Sequence, residues 1–564
     1  MPGVCHGLAA LREPPVLPSP GGGQPVCGVR HGLAASGALP TETTPVGGQP
    51  VAPNAVADQP CRFGLTFIDF WVCAPWDPQL ITDAAGWFSQ LAQLKKPFRR
   101  RMGLVTPPFW EKRLMCTRSF AGPGSLLGCL NQFLTPEVWR QAQAIPGAPR
   151  QKARWNLHRL TFVLLALTWC TGDSLPERFE TARAWYVACY QSRKRPGQTC
   201  GGFLKALVGL PLPVLRALAA GVRRRLFLLF ADRLLYRGFH PFGCDGTRKE
   251  CPRTPELEQR LGQAGKKDAA PTLWITAIVQ LRYGMLWSWR LGRGTASEQL
   301  HLIHLLATLP ARSLLVTDAG YIGYELFVAM VTTGVHYLIR MSSRATLYTE
   351  DRQPLRKWRH GLVWYWPQWA REQKLPPVQA RLLRVSGKNA DVWLLTDVLD
   401  AKELSHATAA QCYRWRWRNE GFFRTYKRTI SGVKFRSRTV AQLHREAEGS
   451  LLAVQMLLAH AAWELRHHGE PEEIRISARQ VLVLIRQDIV FQIGRYLGPR
   501  QRQKYVVRLQ RALQRERSRR SPKACRAWPR RKPHKAPKPP KIRRMTDNLK
   551  TQAHKIFRAS WTQN

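Results

Sequence analysis

The sequence predicts a mixed α/β fold, in which a core of alternating strands and helices is flanked by helical regions and interrupted by a β-rich insertion. Short runs rich in Val, Ile, Leu and Trp occupy the middle of the 564-residue chain, between about residues 242 and 396. A segment with helical spacing lies between two of these runs, and helical patterns lie on both sides of the whole region. Strands that alternate with helices are typical of α/β architecture.

The first 60 residues are rich in Gly, Pro and Ala and contain a duplication with a period of 25 residues. His-Gly-Leu-Ala-Ala occurs at 6–10 and 31–35, and Gly-Gly-Gln-Pro-Val occurs at 22–26 and 47–51. A solenoid needs at least three stacked units, so two copies do not predict one. We expect residues 1–60 to be disordered, and a translated upstream repeat is an alternative interpretation of them.

Helical signals dominate residues 61–238. Thr135 is followed by Pro and Glu, which is a typical helix start, and Ser174 begins a similar Ser-Leu-Pro-Glu sequence. The most apolar stretch, Leu160–Cys170, is about half the roughly 20 residues that a bilayer needs, so it predicts a buried helix rather than a membrane span.

The middle of the chain predicts strands joined by one clear helix, at 323–333. We assign residues 239–340 and 389–440 to the α/β core and residues 341–388 to the β-rich insertion. The expected strands are Trp274–Arg282, Gly284–Leu291, Ser313–Thr317, His336–Arg340, Leu362–Trp366 and Val392–Thr396.

The chain returns to helix after the last of these strands. His406–Ile430 and Ala441–His467 are long and periodic enough to pack on a sheet, and residues 441–497 are expected to form C-terminal helices. Residues 498–564 are expected to form a basic tail, because Arg500–Arg544 contains 19 Lys or Arg and a single acid. Such a tail either binds nucleic acid or is merely solvated.

Charge indicates the kind of partner. The formal net charge is +50 and the pI is about 10.9, which favours a phosphate-rich polymer or an anionic membrane surface. No secretory signal is evident, so the cytoplasm is the predicted location. The 13 cysteines show no paired spacing typical of zinc sites, and no Gly-rich nucleotide-binding sequence occurs.

One segment carries a pattern that suggests chemistry. Tyr413, Arg416, Glu420 and Lys427 fall at offsets of 0, 3, 7 and 14, so a continuous helix would place them on one face. A carboxylate on a basic, aromatic face can bind a cation while its neighbours hold phosphates. The alternative is a solvated helix with ion pairs from Glu420 to Arg416 or to Arg424.

The same spacing resembles the Tyr-Arg-Glu-Lys signature of the DDE transposases of the insertion-sequence-four family. Two earlier acids resemble the family's other motifs: Asp245, followed by Gly-Thr, and Asp318, followed by Ala-Gly-Tyr. The resemblance covers about residues 239–465. It implies that the α/β core is ribonuclease-H-like and that Asp245, Asp318 and Glu420 are its catalytic, metal-binding residues.

By this resemblance the cofactor would be Mg²⁺ or Mn²⁺, with two ions in the site. Asp245 would bridge both ions, and Asp318 and Glu420 would each complete one. Arg416 and Lys427 would contact DNA phosphates, the first through a bidentate fork and the second as a point charge.

Three aromatic residues are further candidates for DNA binding. Tyr413 would hydrogen-bond a phosphate oxygen, and Trp393 and Trp417 match by context the tryptophans that stack on a flipped base in family members that cut through a hairpin intermediate. For Trp393 an ordinary core position in a strand is an equally good interpretation.

The resemblance implies a bacterial enzyme that cleaves transposon ends and joins the 3′-hydroxyl to target DNA. Its partners would be double-stranded DNA, at the terminal inverted repeats and the target, and a second copy of the chain in a synaptic complex. The helical region 61–238 is the candidate for gripping the ends. We expect no membrane and no nucleotide cofactor, with the protein in the cytoplasm at the nucleoid. The alternative is a catalytically inactive DNA-binding derivative of a transposase.

Overall fold

The computed structural model describes seven segments of the chain, and all seven belong to one compact unit. These segments are residues 126–262, 269–350, 358–387, 390–430, 435–465, 476–496 and 538–561. The predictions for residues 1–60, for the first part of the helical region and for most of the basic tail therefore lie outside the described residues.

Ten strands form one sheet in the described part of the chain, with the order β10-β6-β7-β8-β9-β5-β4-β1-β2-β3. The strands are β1 His240–Glu250, β2 Thr272–Gln280, β3 Met285–Arg293, β4 Ser313–Thr317, β5 His336–Arg340, β6 Thr346–Thr349, β7 His360–Tyr365, β8 Val378–Val385, β9 Val392–Thr396 and β10 Lys541–Arg544.

Helices precede, connect and follow these strands. Six helices lie between residue 126, where the described part of the chain begins, and β1: α1 Leu126–Phe133, α2 Pro136–Gln143, α3 Leu157–Trp169, α4 Leu175–Cys189, α5 Cys200–Val208 and α6 Leu212–Leu234. Within the sheet region lie α7 Pro255–Leu261, α8 Glu298–Leu306, α9 Tyr324–Thr332 and α10 Gln368–Glu372. After β9 come α11 His406–Trp415, α12 Trp417–Arg424, α13 Val440–Leu465, α14 Ala478–Tyr496 and α15 Asp547–Trp561.

Five neighbouring strands at one end of the sheet confirm the predicted ribonuclease-H-like core. β1, β2 and β3 are antiparallel neighbours, whereas β4 and β5 continue the sheet in parallel with β1. Helix α8 connects β3 to β4, and α9 connects β4 to β5. The order β3-β2-β1-β4-β5 with these directions is the ribonuclease-H-like arrangement, and it brings the middle of β1 beside the end of β4.

The β-rich insertion extends the same sheet. β9 pairs antiparallel with β5, β8 with β9, β7 with β8, and β6 with β7. Helix α10 interrupts these strands. Flanking helices, an α/β core and a β insertion are all present, as the sequence predicts.

The expected strands Ser313–Thr317, His336–Arg340 and Val392–Thr396 have the predicted bounds. The sequence did not predict β1, because His-Pro-Phe-Gly-Cys-Asp-Gly-Thr-Arg-Lys-Glu contains Pro, two Gly and several charges that disfavour strands. Pairing with β2 on one side and β4 on the other overrides that local preference. β6 and β8 were also missed.

The prediction of one helix over His406–Ile430 differs from the structure. α11 ends at Trp415, α12 begins at Trp417, and residues Thr425–Ile430 form a π-helical turn. Arg416 is the junction between the two helices. π-Helical turns are frequent at functional sites. Here the π-helical turn and the break at Arg416 rotate the later residues away from the single face that regular helical spacing predicts.

Helix starts in the flanking region follow the sequence signals. Ser174 accepts a hydrogen bond from the Glu177 backbone, and the Ser174 backbone amide donates in return to the Glu177 side chain, so the capping box is present. Pro136 occupies the first turn of α2 after Thr135, although the Thr135 side chain makes no capping bond.

One buried carboxylate joins the helical region to the sheet. Glu448 of α13 accepts hydrogen bonds from Arg216 Nε of α6 at 3.0 Å and from Trp289 Nε1 of β3 at 2.6 Å. Trp169 Nε1 of α3 also donates to the backbone of Ala453 at 3.1 Å. The N-terminal helices, α13 and the core strands therefore share polar contacts inside one apolar core.

The last part of the predicted basic tail is folded. β10 pairs in parallel with β6, and α15 follows it directly. Its apolar residues Ile542, Met545 and Ala553 pack against the core, which the Lys-, Arg- and Pro-rich composition of the tail does not indicate.

Among the described helices, no single one is long and apolar enough to cross a bilayer. Only α5 and α6 taken together pass the length and composition test, and these two meet at 88°.

Candidate active site

The site begins at Asp245, in the middle of β1. Its Oδ1 accepts a hydrogen bond from the Gly246 backbone at 2.8 Å. Paired strands on both sides fix the backbone here, with β2 opposite Asp245 and β4 alongside the start of β1. A carboxylate carried by a central strand is held more rigidly than one in a loop, although the sequence alone also allowed a turn at this position.

The environment of Asp245 disfavours its charge. Burial is the main cause that raises the pKa of Asp245 from 3.8 to about 6, and the negative charges of Asp318 and Glu420 add to the increase. The Gly246 hydrogen bond and the positive charge of Arg416 act in the opposite direction. The three acids that the sequence singled out are thus electrostatically coupled, with Asp245 as the shared partner.

Asp318 is placed by the end of β4. It follows Thr317 directly, and its Oδ1 accepts a hydrogen bond from the Gly320 backbone at 2.9 Å, which closes a short 3₁₀ turn. The carboxyl end of β4 lies next to β1 because the two strands are parallel neighbours. This turn holds the second acid at the edge of the core where Asp245 lies.

Glu420 reaches the site on α12, which packs closely over β1. Gly243 allows this approach, because a Cβ at that position would lie 2.5 Å from Nδ2 of the buried Asn419. Glu420 is 44% exposed, and its Oε1 lies 4.0 Å from a terminal nitrogen of the mostly buried Arg416. The ion pair of the alternative interpretation is therefore present in a long, weak form, and the Glu420 carboxylate remains open to solvent.

Two cations interact with the acids. The positive charge of Arg416 lowers the pKa of Asp245, and the negative charge of Asp245 partly offsets the burial that lowers the pKa of Lys427. Nearby, the buried Lys249 lies 4.8 Å from the ring centroid of Tyr426 and 4.0 Å from that of Phe435. These cation–π contacts fix the π-helical turn that carries Lys427.

The three aromatic candidates occupy different environments. Trp417 is 62% exposed, next to Arg416, whose guanidinium carbon lies 4.9 Å from its ring centroid. Tyr413 is partly buried, and its hydroxyl has no hydrogen-bond partner among the described residues. Trp393 is only 9% exposed in β9 and belongs to the main core cluster. This burial favours the interpretation of Trp393 as a core residue of the strand over its interpretation as a DNA-binding residue.

A fourth carboxylate was missed by sequence reasoning. Glu298 begins α8, after the N-cap Ser297, and its carboxylate lies directly against Gly246, where any Cβ would overlap it. Burial, followed by the charges of Asp245 and Asp318, raises the pKa of Glu298 to about 7. The N-cap Ser297 marks in the sequence where α8 begins, but the sequence does not show which strand α8 packs against. The contact between Glu298 and Gly246 is therefore visible only in the folded structure.

The chemistry of the three predicted donors suits a hard divalent cation, because Asp245, Asp318 and Glu420 are all carboxylates. As the side chains stand, however, no group of three or more His, Cys, Asp or Glu residues in the described part of the chain converges closely enough to hold a metal ion. The donor types fit such an ion, and the structure gives no coordination geometry for it.

Comparisons with known proteins cover the part of the chain that carries these residues. Residues 244–456, which include the three predicted acids, match the family model for the transposase DDE domain. The chain is also similar to the transposase InsG for insertion sequence element IS4 of Escherichia coli (strain K12), with 27% identity over 250 residues. That match covers 42% of this chain and 56% of the relative, so the chain spans about half the length of that relative.

A structural comparison finds a distant likeness to the piggyBac transposase in a synaptic complex with hairpin DNA, determined by cryo-electron microscopy. The TM-score is 0.38 at 11% sequence identity, with 70% of this chain and 86% of the other covered. At this level of similarity, the likeness supports no argument about the site.

Proposed function

We propose that this chain is the transposase of an insertion sequence, because residues 244–456 match the family model for the transposase DDE domain and the chain is similar to an insertion-sequence transposase. It would cut double-stranded DNA at the terminal inverted repeats of its element and then join the freed 3′-hydroxyl to target DNA. The reaction class is phosphoryl transfer by in-line displacement.

One observation carries the proposal: Asp245, on a central strand, is electrostatically coupled to Asp318 and Glu420, which come from two other elements. These acids lie in a chain with a net charge of +50, and Arg416 and Lys427 interact with the same carboxylate. Acids gathered within a basic field favour a divalent cation and a phosphate polymer together.

We assign Asp245, Asp318 and Glu420 as the ligands of two Mg²⁺ or Mn²⁺ ions. A bound cation would supply a Lewis acid for the scissile phosphate and would favour ionisation of the attacking water or hydroxyl. Asp245, with a pKa of about 6, would be mostly ionised at neutral pH and ready to bind a cation.

The remaining residues would hold the DNA. Arg416 presents a guanidinium beside the acids and would contact a phosphate oxygen, with Lys427 as a second positive charge. The Tyr413 hydroxyl is buried without a hydrogen-bond partner among the described residues, so its donation to a phosphate would require the side chain to move. Trp417 has an exposed ring, and stacking of a base on it would contribute about 1–3 kcal/mol.

The partners follow from the reaction. Both ends of an element have to be held together, so we propose a homodimer on DNA, with the helical region before β1 gripping the terminal repeats. Location in the cytoplasm, at the nucleoid, stays a prediction.

The test is a cleavage assay on duplex DNA that carries an element end, with Mg²⁺ present and DNA binding measured in parallel. Asp245→Asn and Glu420→Gln should bind DNA but lose cleavage by at least about a hundredfold. Glu403→Gln is a matched control, because Glu403 lies in an exposed ion pair with Arg312 away from the acids.

Equal cleavage by wild type and Glu420→Gln would refute the assignment of the acids. If the wild type binds end DNA and cuts none, the chain is instead an inactive DNA-binding derivative.

A further inference from the structure

The end of the chain returns to the β insertion and completes its edge. β10 pairs in parallel with β6, with Ile542 opposite Leu347. The Lys541 amide donates to the Ala345 carbonyl at 3.0 Å, and the Met545 amide donates to the Thr349 carbonyl at 2.9 Å. In the described part of the chain, β10 is therefore the outermost strand on this side of the sheet.

Helix α15 is fastened to the insertion by Glu350. Its carboxylate accepts from Lys550 Nζ at 2.7 Å, from His554 Nε2 at 2.8 Å and from Trp364 Nε1 at 3.0 Å. The Trp364 ring also meets the rings of His554 and Phe557, each with centroids 5.2 Å apart. Three donors on one carboxylate, together with an aromatic contact, define a specific docking geometry.

The exposed residues of this unit are strongly cationic. Residues 538–558 contain seven Lys or Arg and a single acid, Asp547. The seven cations are all exposed, and they are Lys538, Lys541, Arg543, Arg544, Lys550, Lys555 and Arg558. Glu350 offsets the charge of Lys550. The other six cations still give these folded elements a large excess of positive charge.

We propose that β10 and α15 form a phosphate-binding surface for duplex DNA, displayed by the β insertion and separate from the carboxylate site. This inference rests on the proposed function and adds a second region of DNA contact to it. Backbone phosphates are the partner because the surface offers positive charge with few apolar groups, which is typical of sequence-independent contacts.

Basic residues also protect exposed edge strands from pairing with other chains, and this is the competing explanation for the charges of β10. The two explanations differ in what they predict for DNA binding. Contact with phosphates makes the affinity depend on salt, whereas edge protection affects only self-association.

The experiment measures the affinity of the full chain for duplex DNA as a function of salt concentration. In one variant Lys541, Arg543 and Arg544 are changed to Gln. The control removes the same charge from three exposed cations outside this unit and outside the helical region before β1, by Arg260→Gln on α7 and by Lys374→Gln and Lys402→Gln in two turns. Removing one cation that binds a phosphate should make the slope of log K against log salt shallower by about 0.9, so the slope should change by up to about 2.7 in the strand variant and by much less in the control.

Equal slopes for the strand variant and the control would overturn the proposal, as would unchanged DNA binding accompanied by self-association of the strand variant. Lys555→Gln provides a second probe should the strand variant unfold, because its side chain is exposed on α15. It should reduce the slope by up to about 0.9, and an unchanged slope would also contradict the proposal.

Cleavage by Glu420→Gln, measured on the same DNA, separates the two proposals. Loss of cleavage in Glu420→Gln together with an unchanged salt slope in the strand variant would refute only the DNA surface. Normal cleavage by Glu420→Gln would refute the catalytic assignment whatever the salt slopes show.

Discussion

The carboxylate of Glu298 lies directly against the α-carbon of Gly246, in the space that any side chain at position 246 would fill. Gly246 follows Asp245, and Gly243 lies two residues before it, so β1 has a glycine on either side of its acid. Gly246 faces α8, because Glu298 of that helix lies against it. Gly243 faces α12, because Asn419 of that helix lies against it. Side chains alternate along a strand, so the two helices approach β1 from opposite faces.

Gly246→Ala should therefore displace Glu298 and destabilise the fold by about 1–3 kcal/mol through overpacking. Removing the Glu298 carboxylate in the double variant Gly246→Ala/Glu298→Ala should recover most of that stability. Urea unfolding of the two single variants and the double variant measures the coupling energy. Additive changes in free energy would show that the two residues do not meet as described.

The raised pKa of Asp245 predicts that ionisation of this carboxyl group lowers the stability of the fold. Burial and the neighbouring acids raise its pKa from 3.8 to about 6, so between these values the folded state binds more protons than the unfolded state. Stability should therefore fall as pH rises through this range. Asp245→Asn, measured without divalent cations, should be more stable than wild type by about 1–3 kcal/mol at pH 7 and should lose most of that advantage below pH 4.

Thermal unfolding at pH 4 and pH 7, with a chelator present, measures this difference. Asp400→Asn is a suitable control, since Asp400 is exposed in a turn before α11. A destabilised Asp245→Asn at pH 7 would contradict the burial that we assign to the acid.

Sequence patterns predicted the strands on either side of Asp318 with correct bounds, because those strands are continuous apolar runs buried in the sheet. They missed β1, the strand that carries Asp245, because its charges and glycines serve the site instead of the local preference for a strand. The family motif identified Asp245 where propensity indicated a turn. Glu298 carries no motif, and its position against β1 follows only from the packing of α8 beside that strand.

Trp417 and Trp393 should respond differently to truncation. Trp417→Ala removes a ring that is 62% exposed, so stability should change by less than about 1 kcal/mol while the affinity for end DNA falls by about fivefold to a hundredfold. Trp393→Ala empties a buried site in β9 and should cost about 3–5 kcal/mol of stability. Unfolding and DNA-binding measurements on both variants check this contrast, which would be contradicted by a Trp417→Ala variant that binds end DNA normally.

Glu448 should be important for joining the helical region to the core. Its side chain is 1% exposed, and Glu448→Ala would leave the indole nitrogen of Trp289 without its acceptor. We expect a decrease of about 2–4 kcal/mol in the free energy of unfolding. Glu403→Ala, which breaks the exposed pair with Arg312, should cost less than about 1 kcal/mol. Similar decreases in both variants would contradict this role.

The C-terminal unit shows a second limit of sequence reasoning. Lysine, arginine and proline dominate the composition of the tail. Composition does not predict the short strand β10, because this strand is stabilised by pairing with β6, which is distant in the sequence. Deleting residues 500–564 would remove β10 and α15 along with the basic charge. Such a deletion cannot test the contribution of charge alone, which is why substitutions are needed.

The central claim, that Asp245, Asp318 and Glu420 hold the divalent cation used for cleavage, is tested most directly by exchanging a ligand for a softer one. Asp318→Cys should cut end-containing DNA at least about a hundredfold more slowly than wild type in Mg²⁺ and should recover much of its activity in Mn²⁺, which accepts thiolate ligands more readily. Cleavage by Asp318→Cys at the wild-type rate in Mg²⁺, with no preference for Mn²⁺, would contradict the account.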